Sequence, residues 1–318
     1  MDAAGAAEAG PGMRICVVGV GAVGSLFAAH LAQVDEIEVW GYDVAADHVD
    51  AINERGLRLI GEADLVGRVR ATTDPAELPP CEFGIVATKS MYTRQAIAQT
   101  AHAFSDGAVA SVQNGVGNEE VIAEHVERVI RGTTFPAGRV VEPGVVYMDV
   151  RGDTWLGPFE PRPASLEQVT RLAEAMTAGG MNAKALEDAR GAQWTKLIFN
   201  AATNPIGALT QLTHGRVCEL AETRRLVSQL VAEGKAVADA LGITLDSDPD
   251  ELVDHAAEVA YEHRASMLQD VLAERATEID ALNGGIVRFG SEQGIPTPLN
   301  EAITALIKGL EFSWRQPR

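Results

Sequence analysis

Two constellations in the chain have residue types and spacing suited to chemistry. The first is Gly19-Val20-Gly21-Ala22-Val23-Gly24, a G-x-G-x-x-G that follows the β-branched run Arg14-Ile15-Cys16-Val17-Val18. After a strand and before a helix, such a turn cradles a pyrophosphate. Its first glycine permits the tight turn, its second lets backbone approach the anion, and its third lets helix pack on strand. The stretch Gly19, Gly21, Ala22, Val23 and Gly24 is therefore the expected dinucleotide-binding turn; a merely tight β–α turn is the bland alternative. The second constellation is Lys196, Asn200 and Asn204, spaced i, i+4, i+8 between Gln193 and Pro205. On a helix these three share one face, drifting about 40° per step. A lysine and two carboxamides in an apolar stretch suggest a lined cleft. Taken alone, a solvated helix face is the better reading, because lysines usually face water. Pro205 disfavours helical geometry at Asn204, so the helix should kink or end there.

The residue that should choose the cofactor is Asp43, 19 positions after Gly24 at the end of a second short strand. A carboxylate there suits a ribose 2′-hydroxyl and repels a 2′-phosphate, which favours NAD over NADP. The competing reading is that Asp43 only caps the next helix.

Around these residues the first half alternates short apolar runs with amphipathic segments. Strands are expected at 14–19, 37–40, 83–88 and 108–113, and helices at 25–32, 45–54 and 94–103. Alternation of this kind implies a parallel sheet wound by crossovers. Residues 139–156 mix Gly, Pro and alternating Val, Tyr and Met, which reads as antiparallel edge strands. From about Glu187, Ala, Leu, Glu and Arg dominate and strand signals vanish, and Asp248-Pro249 marks a helix start. The expected organisation is a loose tail over residues 1–12, an α/β Rossmann-type dinucleotide-binding domain over 13–186, and an all-helical substrate domain over 187–318.

The 318 residues carry a net charge of −19, with 46% apolar and 22% charged residues, as in globular proteins. An acidic chain is poorly suited to nucleic acid or to anionic membrane surfaces. Three dispersed cysteines suggest a reducing compartment, and the tail lacks the basic start and apolar block of a secretory signal, so a cytoplasmic location is expected. The seven histidines form no pair with metal spacing and no G-x-S-x-G elbow occurs, so neither a zinc route nor a serine hydrolase has support. The apolar stripes of the helical half are sufficient for a homodimer.

The glycine turn, Thr88-Lys89, Gln113-Asn114-Gly115-Val116-Gly117-Asn118-Glu119, the Lys196 segment, Ser266-Met267-Leu268-Gln269-Asp270 and Thr277-Glu278-Ile279-Asp280 occur in this order, and together they resemble the ketopantoate reductase (2-dehydropantoate 2-reductase) family. The resemblance spans Arg14 to about Gly309. It implies reduction of a small 2-keto acid by NADPH or NADH in an interdomain cleft. It further implies Lys196 as the general acid and Glu278 as an essential glutamate that helps hold lysine and substrate. Asn200, Asn204 and Ser266 match substrate-binding positions, Asn114 lies beside nicotinamide and substrate, and Lys89 lines the same cleft among the cofactor-binding residues. Hydride addition builds an alkoxide, which a positioned ammonium both stabilises and protonates. Family members that prefer NADPH usually carry a basic residue near Asp43. The acid found here keeps open an NAD-dependent dehydrogenase of another 2-hydroxy acid on the same fold. Ser266 and Glu278 are 12 residues apart, about 18 Å along one straight helix. For both to reach one small substrate the chain must break between Gln269 and Thr277, yet no Gly or Pro lies there.

Overall fold

A computed structural model describes residues 12–314. All but Gly12 of the tail expected over residues 1–12 therefore lies outside the described residues. By its internal contacts the chain divides into two units. The first runs to Thr88 and continues through Tyr92–Gln113 and Glu119–Glu187; the second takes Lys89–Met91, Asn114–Asn118 and Asp188 onward.

The first unit is α/β. Its elements are β1 (Met13–Val18), α1 (Ala22–Leu31), β2 (Ile37–Tyr42), α2 (Ala46–Arg55), β3 (Leu57–Gly61), β4 (Leu65–Gly67), β5 (Arg70–Thr72), β6 (Phe83–Val86), α3 (Thr93–Thr100), β7 (Ala108–Ser111), α4 (Asn118–Ala123, shared with the second unit at its first residue), β8 (Val129–Thr134), β9 (Ala137–Glu142), β10 (Val145–Val150), β11 (Asp153–Pro158), α5 (Leu166–Ala178) and β12 (Asn182–Ala185). Eight strands form one sheet in the order β12-β11-β8-β7-β6-β1-β2-β5. Every pair in it is parallel except β8 with β11. β6 and β7 are buried at every residue, as strands covered on both faces must be. The remaining strands form a second sheet in the order β4-β3-β10-β9. Leu26, Phe27 and Leu31 of α1 share a core with Ile15 and Val17 of the large sheet and with Leu57, Leu59 and Val146 of the small one.

Residues 139–156 depart from the expected edge strands. β9 does lie at an edge, but β10 is interior, antiparallel to β9 and parallel to β3, and β11 joins the large sheet inside β12. The reason is β3, whose Leu57 and Leu59 point into the core and offer β10 a second partner.

The second unit is helical: α6 (Arg190–Thr210), α7 (His214–Glu219), α8 (Ala221–Ala240), α9 (Pro249–Val259), α10 (Ser266–Leu272), α11 (Asn283–Gln293) and α12 (Pro298–Ser313). Asp248 caps α9, accepting from the Asp250 amide at 3.0 Å. α6 is buried on nearly every side and packs on α8, α9 and α10, so it is the axis of the unit. No helix among the described residues is long and apolar enough to cross a membrane.

Of the kink or end expected at Pro205, the end does not occur: α6 continues to Thr210 and closes on Gln211 in the left-handed region. Pro205 has no N–H for the carbonyl of Ala201 one turn back. That carbonyl instead accepts from the side chain of Asn283 at 2.9 Å, so the acceptor that the proline leaves without its helical donor is satisfied.

Candidate functional site

The glycine turn joins β1 to α1 in the first unit. Gly19 has φ +91°, and a Cβ on it would meet the Thr88 backbone nitrogen at 2.7 Å. A Cβ on Gly24 would lie 1.9 Å from the Gly19 carbonyl oxygen. Both glycines are therefore required by the fold itself. Gly21 differs: its φ of −69° suits any residue, and no atom lies within 4 Å of where its Cβ would stand. Neither conformation nor internal packing explains a glycine there, whereas close approach by an outside group does. Gly21 is also the N-cap of α1 and provides no side-chain cap, which leaves the positive end of the helix to an anion. These features fit a dinucleotide pyrophosphate. The segment Gly19–Gly24 lies in one turn as expected, with Ala22 and Val23 opening the helix.

Asp43 follows β2. Its Oδ2 accepts from the Val20 amide at 2.8 Å and its Oδ1 from the Ala45 amide at 3.0 Å. The carboxylate thus ties the second strand to the glycine turn and holds the amide of Ala45, the residue at the N-cap of α2, which itself has no side-chain cap. The nearby Arg70 is engaged elsewhere, paired with Glu38 at 2.9 Å and lying over the Trp40 ring.

In the second unit Lys196 lies on α6. Its ammonium donates to Asn114 Oδ1 at 2.9 Å. Asn114 Nδ2 donates to Glu278 Oε2 at 3.2 Å, and Glu278 Oε1 accepts from the Ser90 amide at 2.9 Å. Four stretches, around Ser90, Asn114, Lys196 and Glu278, thus form one chain of hydrogen bonds. Two glycine conformations admit the Asn114 loop: Gly115 and Gly117 have φ of +82° and +101°. A Cβ on Gly115 would stand 2.3 Å from the Ala281 carbonyl oxygen, the same oxygen that accepts from the Val116 amide at 3.0 Å.

Lys196 is partly exposed as a residue, but its ammonium end is desolvated. Burial lowers its pKa to about 8, against the opposing pull of the Glu278 carboxylate. Asn200 and Asn204 share its face and are 9% and 6% exposed, so the stripe is not a solvated one. Ser266 is exposed at the first residue of α10, outside the hydrogen-bonded chain of Lys196, Asn114 and Glu278. Lys89 is held away from a free position: its ammonium pairs with Asp270 Oδ2 at 2.5 Å and donates to the Ala276 carbonyl at 3.2 Å.

The break required between Ser266 and Glu278 exists. α10 ends at Leu272, and Glu274 adopts φ +49° without being glycine. Buried Asp270 organises it, because Arg275 reaches back to Asp270 Oδ1 at 3.2 Å while Lys89 holds the other oxygen. The Ser90 amide and Asn283 escape a sequence reading. Asp270 sits inside the quoted 266–270 motif and could have been found there. Among the described residues no three of His, Cys, Asp and Glu cluster as metal ligands.

A glycine-turn α/β unit together with a helical unit carrying a desolvated, carboxylate-supported lysine is the combination of a nicotinamide-dependent oxidoreductase. Comparison with known proteins narrows this. Residues 15–161 match the family described as ketopantoate reductase PanE/ApbA, and residues 188–311 match its C-terminal domain, ketopantoate reductase PanE/ApbA C terminal. The 2-dehydropantoate 2-reductase of Pyrococcus abyssi (strain GE5 / Orsay) is 35% identical over 301 residues, covering 94% of this chain and 98% of that protein. Among solved structures, a PanE/ApbA family ketopantoate reductase from Ralstonia eutropha JMP134 superposes with TM-score 0.86 at 31% identity, covering 96% of this chain and all of that one. A D-mandelate dehydrogenase solved with NADH and anilino(oxo)acetate superposes with TM-score 0.85 at 26% identity, covering 95% and 99%. The chain belongs to the ketopantoate reductase family.

Proposed function

We propose that the protein reduces 2-dehydropantoate (ketopantoate) to pantoate with NADH, and that Lys196 is the general acid. The observation that carries this reading is the Lys196–Asn114–Glu278 chain, with the lysine pKa lowered to about 8. An acid of that strength is mostly protonated at neutral pH, yet releases its proton far more readily than an ordinary lysine. Residues 13–186 bind the dinucleotide in this proposal, and residues 187–318 supply the acid and the substrate site.

Reduced nicotinamide, when bound, supplies hydride to the keto carbon. The protein residues do the rest. As the carbonyl carbon gains the electron pair, its oxygen takes a proton from Lys196 Nζ, leaving a neutral amine to be reprotonated from solvent. Asn114 aims that ammonium, and the negative charge of Glu278 keeps it from losing its proton too early. Asn200, Asn204 and Ser266 provide hydrogen-bonding groups for the carboxylate and hydroxyl of the acid. Asp43 supports NADH over NADPH, because a carboxylate beside the glycine turn disfavours a 2′-phosphate and Arg70 is already paired. The D-mandelate dehydrogenase solved with NADH is consistent with this choice and favours one second reading, oxidation of another 2-hydroxy acid. The free thiols of Cys16, Cys81 and Cys218 suit a cytoplasmic enzyme.

The test is steady-state turnover of ketopantoate with NADH and NADPH in parallel. Turnover with NADH well above that with NADPH is expected. Preference for NADPH would leave Asp43 with its bonds to the Val20 and Ala45 amides as its whole role. Cofactor binding without turnover of ketopantoate would favour the second reading.

A further inference from the structure

We propose that Asn283 is a positioning residue for the Lys196–Glu278 pair: its carboxamide replaces the backbone N–H that Pro205 lacks, and in doing so fixes α6 against the segment that carries Glu278. The inference rests on the reading of Lys196 as the acid.

Pro205 lies within α6, between the residues of the functional stripe and the end of the helix, with Asn204 immediately before it. The carbonyl left without its helical donor belongs to Ala201, next to Asn200. Asn283 Nδ2 donates to that carbonyl at 2.9 Å and to Asn300 Oδ1 at 3.0 Å, so both of its amide hydrogens are used. Flipping the carboxamide would set its oxygen against two other oxygens, so the orientation is determined by its surroundings. Its own Oδ1 is buried and has no partner, a cost that a purely apolar side chain would avoid. Asn283 and Asn300 are both fully buried.

The chain of bonds ends on a firm anchor. Asn300 Nδ2 donates to Glu233 Oε2 at 2.7 Å. The two oxygens of Glu233, on α8, also accept the Leu299 and Asn300 amides at 2.8 and 2.9 Å, which caps the start of α12. At its other end Asn283 follows Glu278 by five residues, and the intervening turn is closed by the Ala281 and Leu282 amides donating to the Glu278 carbonyl, each at 3.1 Å. One carboxamide therefore ties the helix that carries Lys196 to the turn that carries Glu278. Displacing either by a fraction of an ångström changes how strongly the carboxylate supports the ammonium.

The experiment follows Lys196 directly. The chain has five lysines, so 13C-labelled lysine NMR with Lys196→Met as the assignment control resolves its titration without any turnover. In Asn283→Ala, Lys196 should titrate ~0.5–1 pH unit lower, because Glu278 supports it less. The same variant should lose ~10–100-fold in kcat, with the KM for NADH changed less than twofold. Adding Pro205→Ala returns a backbone N–H to Ala201 and should recover most of both losses. An unchanged Lys196 titration in Asn283→Ala, or a double variant that shows no recovery, overturns the proposal. Should Asn283→Ala not fold, Pro205→Ala must restore a folded chain, and a double variant that remains unfolded overturns it equally. Failure of the functional reading looks different: the wild type would then not reduce ketopantoate, whatever the lysine titration does.

Discussion

The glycine turn draws its working parts from a short stretch of backbone, Gly19 to Gly24, steadied by one carboxylate, Asp43. The lysine site joins Ser90 to Glu278 across 188 positions and adds Asn114 and Lys196 from between them. In the first region the proposed function depends on what is missing, a Cβ at Gly21. In the second it depends on which polar atoms meet and how little water they share. A backbone site of the first kind should tolerate changes of charge and fail on added bulk. A side-chain site of the second kind should respond to charge and pH while the fold persists.

The largest effect expected is on the lysine. Lys196→Ala should lower kcat by ~10³-fold or more, because the proposed proton donor and its charge stabilisation are both lost. The dissociation constant for NADH, read by fluorescence titration, should stay within about twofold. A variant with near wild-type kcat would remove the chemical basis of the comparison.

The glycines provide the next test, since the two members of one motif should behave oppositely. Gly24→Ala puts a Cβ 1.9 Å from a carbonyl oxygen and should cost several kcal/mol, seen as lost soluble protein or a Tm lowered by ~5 °C or more. Gly21→Ala has open space and an ordinary φ, so its Tm should match the wild type while NADH binding weakens ~10-fold or more. Unchanged binding in Gly21→Ala would mean that no ligand backbone approaches the turn.

The pH dependence separates the regions further. With Lys196 as the proposed general acid, kcat/KM for ketopantoate should be level below its pKa of about 8 and fall about tenfold per pH unit above it. NADH binding through backbone amides should show no such limb.

The smallest effect concerns stability. The folded chain lowers the Lys196 pKa from 10.5 to about 8, so it penalises the charged form. That penalty is fully present below pH 8, shrinks as pH rises, and is gone above 10.5. Lys196→Met should therefore stabilise the fold at pH 7 by ~1–2 kcal/mol, after subtracting the lost bond to Asn114, with no gain above pH 10.5. Denaturant melts at the two pH values check it. Equal destabilisation at both would show that the lysine is a structural element, not a strained functional one.

Much of the first region was legible. Ile15 to Val18 followed by three spaced glycines specifies strand, turn and helix through steric rules that operate within a few residues. Asp43 was legible as a candidate, although its bond to the Val20 amide needed the second strand to lie beside the first. The small sheet was not legible, since β10 pairs with β3 from 85 or more positions away. In the second region, the Lys196-Asn200-Asn204 spacing was visible, but taken alone it pointed to a solvated face. The break after Leu272 carries no glycine or proline, because Asp270, Arg275 and Lys89 enforce it through charge.

By itself, then, the sequence determined the strand–turn–helix of the glycine turn, the switch to helices after residue 187 and the face on which Lys196, Asn200 and Asn204 lie. Those features follow from sterics and periodicity between near neighbours. Tertiary structure alone decided that this face is buried, that α6 continues through Pro205 by borrowing a donor from Asn283, and that burial lowers the Lys196 pKa to about 8 beside Asn114 and Glu278. Desolvation and electrostatics depend on which distant groups exclude water from a site, and no local pattern of residues encodes that.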